Sequence, residues 1–100
     1  MTPYISKTSV EFLRASVTST LDPTIGTVSF SFSTDDQPAT WYVGEWEGPA
    51  VQSGGYFTAT ARILVGPSHV ELPEGHVAVW VRANSAPEAV VKPIGTIKVW

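Results

Sequence analysis

The densest chemical grouping in the chain is WYVGEWEG, residues 41–48, where two tryptophans, a tyrosine and two glutamates fall within eight positions. On an extended strand Glu45 and Glu47 point the same way, which resembles the paired carboxylates of acid–base catalysis. Glycoside hydrolysis, however, needs carboxylates that flank the substrate from two sides, and neighbours two apart on one strand cannot do that. The pair therefore reads as a solvated strand end. Trp41 and Trp46 are five apart, an odd spacing that sends them to opposite faces unless a bulge intervenes at Gly44. They form no single stacking platform on a regular strand. A carbohydrate-binding module, with Trp41 or Trp46 stacking on a sugar beside Tyr42 and Tyr56, remains the rival reading of these aromatics.

Other catalytic or ligating patterns are missing. His69 and His76 bracket VELPEG, near Glu71 and Glu74, at no recognised metal-ligand spacing. No G-x-S-x-G elbow occurs, and Asp22, Asp35 and Asp36 all sit in turn sequences. There is no phosphate loop, no dinucleotide fingerprint and no twelve-residue calcium loop. The expectation is a protein with no catalytic residues, no cofactor and no metal.

The totals point the same way. One hundred residues make one domain, 1–100, large enough to bury a core of its own. A formal charge of −3, with six Lys and Arg scattered along the chain, argues against a nucleic-acid partner. Cysteine is absent, which removes disulfides and thiolate chemistry and fits folding in a reducing cytoplasm. The opening MTPYISKTSVEFLR has no apolar export region, and no apolar run is long enough to span a membrane as a helix.

The elements that would position these residues are strands. Period-two alternation recurs from end to end, punctuated by LDPTIG, DDQP, QSGG, GPSH, LPEG and NSAP. In TVSFSFS, Val28, Phe30 and Phe32 share a core face, while Thr27, Ser29, Ser31 and Ser33 share one expected to be wet. FTATARILV turns Phe57, Ala59, Ala61, Ile63 and Val65 inward; GHVAVWVRA does so with Val77, Val79, Val81 and Ala83, and GTIKVW with Ile97 and Val99. Residues 8–19 carry apolar groups on both faces, Val10 and Phe12 against Leu13, Ala15 and Val17, which suggests a bulge or a strand that changes sheets. The segments around 48–55 and 84–94 read as mobile loops, the second held out of full hairpin pairing by Pro87 and Pro93. Six or seven strands of this kind make a two-sheet sandwich, with a small barrel as the rival.

If WYV is the third strand of such a sandwich, Trp41 packs inward with Val43, as a core Trp does in immunoglobulin domains. Trp46 is then partly covered or at an interface. Trp80, Arg82, Lys98 and Trp100 fall on outward faces of the last two strands, where exposed Trp and Arg favour protein contacts. The alternative is that a second sheet, or the N-terminal segment with Tyr4 and Ile5, covers them. The candidate interface residues are Tyr4, Ile5, Trp46, Trp80, Arg82 and Trp100.

LDPTIGTVSFSF, ARILVGP and GHVAVWVRANSAPEAVVKPIGTIKVW together resemble small proteins from the head and connector gene block of tailed bacteriophages, notably siphophages of actinobacteria. A DPT turn before an alternating strand, a Trp pair, and the positions Val79 to Val81, Ala86 to Glu88, Val91, Gly95, Ile97 and Val99 carry the resemblance, over roughly residues 20–100. It implies an immunoglobulin-like antiparallel β-sandwich of about seven strands and a non-enzymatic virion component, assembled in the host cytoplasm. Capsid decoration, or a head–tail connector or neck role, would give it partners among other virion proteins, capsid or connector subunits, in a symmetric multi-copy assembly, with neither nucleic acid nor membrane among them.

Overall fold

Alternation in TVSFSFS becomes the centre of a sheet. A computed structural model of the chain describes residues 4–6, 8–35, 37–38, 40–85 and 88–100. Its strands are β1 (Tyr4–Ile5), β2 (Glu11–Ser19), β3 (Thr27–Ser33), β4 (Trp41–Val43), β5 (Glu45–Trp46), β6 (Val51–Ser53), β7 (Tyr56–Val65), β8 (Gly75–Ser85) and β9 (Glu88–Val99). They form a five-stranded sheet, β1-β9-β8-β3-β4, packed on a second sheet, β2-β7-β5, with β6 also on β7. All pairings between named strands are antiparallel except β1 on β9. With β2 taken as strand B and β9 as strand G, this is the GFC-type sheet facing the B–E–D sheet of an immunoglobulin-like sandwich.

The core lies where the two inner faces meet. Val17, Val28, Phe30, Ala61, Val65, Val77, Val81 and Val99 are each at most 2% exposed. They are the inward members of the alternating runs, β-branched or small, as close packing between two sheets demands. The Phe30 and Phe32 rings stack with centroids 6.5 Å apart, and Phe32 meets Tyr42 at 6.3 Å. At one end a 3₁₀ turn, Pro23–Ile25, contacts β2, β7 and β8. Asp22 caps it by accepting from Thr24 N–H at 2.9 Å and from the Thr24 hydroxyl at 2.6 Å, while Pro23 supplies the fixed φ of the first position. This is the structural content of LDPTIG.

Several expectations are corrected. The third strand in immunoglobulin order is β3, not WYV. Because Phe30 pairs with Tyr42, and Ser31 and Ser29 pair with Trp41 and Val43, Tyr42 takes the core side of β4. Trp41 and Val43 take the outer side, and Val43 is 78% exposed. Residues 11–19 contain no bulge: β2 keeps one register with β7 throughout, with Leu13, Ala15 and Val17 inward and Phe12 outside. The chain changes sheets at Gly44 instead, between β4 on β3 and β5 on β7. There a Cβ would stand 2.8 Å from both the Arg62 carbonyl oxygen and the Phe30 ring, so only glycine lets the backbone cross that closely.

The supposed loops are mostly paired. Val51–Ser53 forms a hairpin with β7, and 84–94 is largely strand, with Asn84 opposite Ala89 and Arg82 opposite Val91. Pro93 is accommodated because β9 is an edge at that point and carries a register shift opposite Val79/Trp80, the two settings in which a strand tolerates proline. Pro87 lies outside the described residues. Gly66 has φ +127°, and a Cβ there would collide with the Ser9 carbonyl oxygen, so two restrictions coincide on one residue.

Candidate functional site

The outer face of the five-stranded sheet concentrates the large side chains that the core does not use. Register places Trp41, Ser31, Trp80 and Pro93 in one row across β4, β3, β8 and β9, and Val43, Ser29, Arg82 and Val91 in the next. Strands two apart are separated by about 9.5 Å, so Trp41 and Trp80 reach over the short serine between them. As a result most of the face expected to be wet is not: Thr27 is exposed, but Ser31 is fully buried, and Ser29 and Ser33 are 8% and 7% exposed. The Arg82 guanidinium carbon lies 4.5 Å from the Trp41 ring centroid, an attraction worth roughly 0.5–2 kcal/mol depending on desolvation. Both Trp80 Nε1 and Arg82 Nε are buried without a hydrogen-bond partner, while Val43 and Val91 stay open to solvent at its margins.

On the outer face of the other sheet the charges are mutually satisfied. Glu45 accepts from Arg62 Nε at 2.7 Å, and Glu47 accepts from Arg14 Nε at 3.0 Å and from Arg62 at 3.4 Å. The Arg62 guanidinium also lies 4.4 Å from the centroid of Phe12. The two glutamates of the opening motif are thus anchors for the arginines of β2 and β7. An open groove of about 370 Å³ runs beside this network where β5 departs from β7, bounded by Phe12, Val43, Leu64, His69 and Val70 with Glu45 and Arg62 at its rim.

The candidate interface residues separate in space. Trp80 and Arg82 share the outer patch, and the structure adds Trp41 and Val43 to them. Trp100 is 62% exposed but stands at the far end of the same sheet: the Lys98–His76 pair preceding it is already four residues along β8 from Trp80, about 13 Å. Trp46 belongs to neither group, because it packs against the core and its indole N–H donates to the Gly26 carbonyl at 3.0 Å. Ile5 is buried opposite Val99, as a member of the core. The Tyr4 side chain lies outside the described residues. β1 does not cross the outer face, but joins the sheet edge beside β9.

His69 lies in the turn after β7, outside either sheet, and His76 lies on β8 of the five-stranded sheet. Among the described residues no three His, Asp or Glu side chains converge as metal ligands, and no helix is long and apolar enough to cross a membrane. Reading Trp41 as core hid its place in the patch. The available signal was the pairing of TVSFSFS, whose small outward serines leave room for large cross-strand neighbours. Compared with family models, curated proteins and solved structures, the chain matches none of them.

Proposed function

We propose that this protein is a non-enzymatic structural component of a phage virion, associated with the head, and that it works by docking the outer face of its five-stranded sheet against a neighbouring virion subunit. The observation that carries the docking half is the Trp41–Trp80–Arg82 patch: two tryptophans and an arginine, the residue types that dominate interface hot spots, set on the inner strand β8 and the edge strand β4 with two donors lacking acceptors. The phage half rests on the resemblance of the sequence over roughly residues 20–100, from LDPTIGTVSFSF to GTIKVW. A partner on this face would cover the aromatic row together with Val43 and Val91, which are open to solvent at its margins.

Two measurements test this. Quantitative mass spectrometry of purified virions should find the protein at a copy number near that of the shell subunit for a decoration role, or at a single ring's worth for a connector. Its absence from virions abandons the structural reading. Trp80→Ala should abolish incorporation while leaving a folded protein; incorporation at the wild-type level would remove this face from the contact.

The sugar-binding alternative has less in its favour. Tyr42 turns to the core side of the sheet, Trp46 is tied to Gly26, and the Trp41 ring is already covered by Arg82. A glycan array run on the wild type and on Trp41→Ala distinguishes it, since sugar binding lost in the variant would revive that reading.

A further inference from the structure

In immunoglobulin-like sandwiches a strand A usually stands beside strand B, but here the first strand has joined β9 instead. Among the described residues no strand lies on the outer side of β2, and no backbone group of Glu11–Ser19 bonds outside the β7 ladder. The hydrogen-bond phase identifies what this leaves open. Thr60 and Leu64 of β7 direct their carbonyls away from β2, to Glu47 N–H and Val70 N–H, so the odd-numbered residues of β7 are those that bond β2. Their partners are Glu11, Leu13, Ala15, Val17 and Ser19. Phe12, Arg14, Ser16 and Thr18 therefore direct their N–H and C=O groups to the free edge.

The remaining sheet edges are guarded in the ways natural proteins use. β4 has three residues; β5 and β6 are short and separated by Gly48 and Pro49; β9 is capped at one end by β1 and interrupted by Pro93 and a register shift. Among the edge strands of the described residues, only β2 is long, regular and free of Gly and Pro. We propose that β2 pairs antiparallel with β2 of a second copy of this chain, about a two-fold axis at Ala15, joining two four-stranded sheets into one.

The sequence EFLRASVTS is self-complementary in that register. Phe12 meets Thr18 of the second copy and Arg14 meets its Ser16, so every outward N–H and C=O of both strands is bonded. On the inner face Leu13 meets Val17, and the small Ala15 meets itself at the axis, where the chains are closest. Moving the axis to Arg14 sets two arginines against each other and leaves Thr18 unpaired. Moving it to Ser16 leaves Phe12 unpaired. Leu13, only half-buried in the single chain, is covered by the added strand. This pairing is independent of where the protein acts, so its failure would leave the virion reading standing.

Sedimentation equilibrium of the intact chain from micromolar to millimolar concentration should show the mass rising to twice that of one chain. Ser16→Pro deletes an N–H that the β7 ladder does not use, so it should stay monomeric with an unchanged circular dichroism spectrum. Independently of that variant, Arg14→Cys and Ser16→Cys proteins mixed under mild oxidation should cross-link to each other far more than either to itself, because their Cα atoms would stand about 5.5 Å apart, within disulfide range. A chain that is monomeric at every concentration overturns the proposal. So does a dimer that persists in Ser16→Pro and shows no preference for the mixed cross-link.

Discussion

The two outer faces of the sandwich are built from the same alternating strands and hold arginine in opposite ways. On the four-stranded sheet Arg14 and Arg62 meet Glu45 and Glu47 and lie beside Phe12, with charge answered by charge at 2.7–3.4 Å. On the five-stranded sheet Arg82 rests on Trp41, no carboxylate of the described residues pairs with it, and its Nε is buried without a partner beside an equally orphaned Trp80 Nε1. Such groups cost about 1–3 kcal/mol each when left unmade, so a face that keeps them is a poor device for stability alone. The first face answers its charges within the chain, whereas the second keeps two buried donors that the chain itself does not answer.

Substitutions can break this contrast in descending order of effect. Gly44→Ala strikes the crossover that ties the faces together. It should destabilise the fold by about 3 kcal/mol, because the new methyl overlaps backbone and a buried ring, and urea unfolding would read this as a lower midpoint at unchanged slope. Trp80→Ala uncovers Ser31 and half of the aromatic row. It should cost about 2 kcal/mol, less than a fully buried Trp, whose removal costs ~3–5 kcal/mol.

The sharpest comparison is between matched arginines. Arg62→Met leaves two glutamates facing each other and should cost about 1 kcal/mol, discounted because the pairs are part-exposed. Arg82→Met removes an unsatisfied donor while keeping the contact with Trp41, and should be neutral or slightly stabilising in the isolated protein. Equal losses at both positions would mean that the faces do not differ as described. The smallest effect is ionic: in about 1 M salt, where the screening length is ~3 Å, the Arg62→Met penalty should shrink by a few tenths of a kcal/mol while that of Trp80→Ala stays constant.

Much of this architecture is legible in the chain because period two is a local signal. The inward residues of β3, β7, β8 and β9 are those that alternation selects, and the turn sequences fall between the strands. What alternation cannot state is which strand stands beside which. Trp41 and Trp46 were assignable only after knowing that the backbone leaves one sheet at Gly44, and that depends on the distant Phe30 and Arg62. The outward serines misled for the same reason: a polar residue two strands away from nothing is wet, while one between two tryptophans is covered. Pro93 shows the converse case, a residue that locally forbids pairing yet sits in a strand because its edge is free. The patch of Trp41, Trp80 and Arg82 was half visible, since its β8 members share a run and its β4 member joins them only through register.

The short parallel pairing of β1 with β9 also bears on mechanics. Tyr4 lies opposite Lys98 and Ile5 opposite Val99, and Trp100 N–H donates to the Ile5 carbonyl at 3.1 Å. Tension between the two ends of the described chain pulls these parallel strands in opposite senses along their length. The bonds joining them are then loaded in shear, together, instead of being peeled one at a time. A chain pulled from both ends would therefore resist until this small clasp slips as a unit.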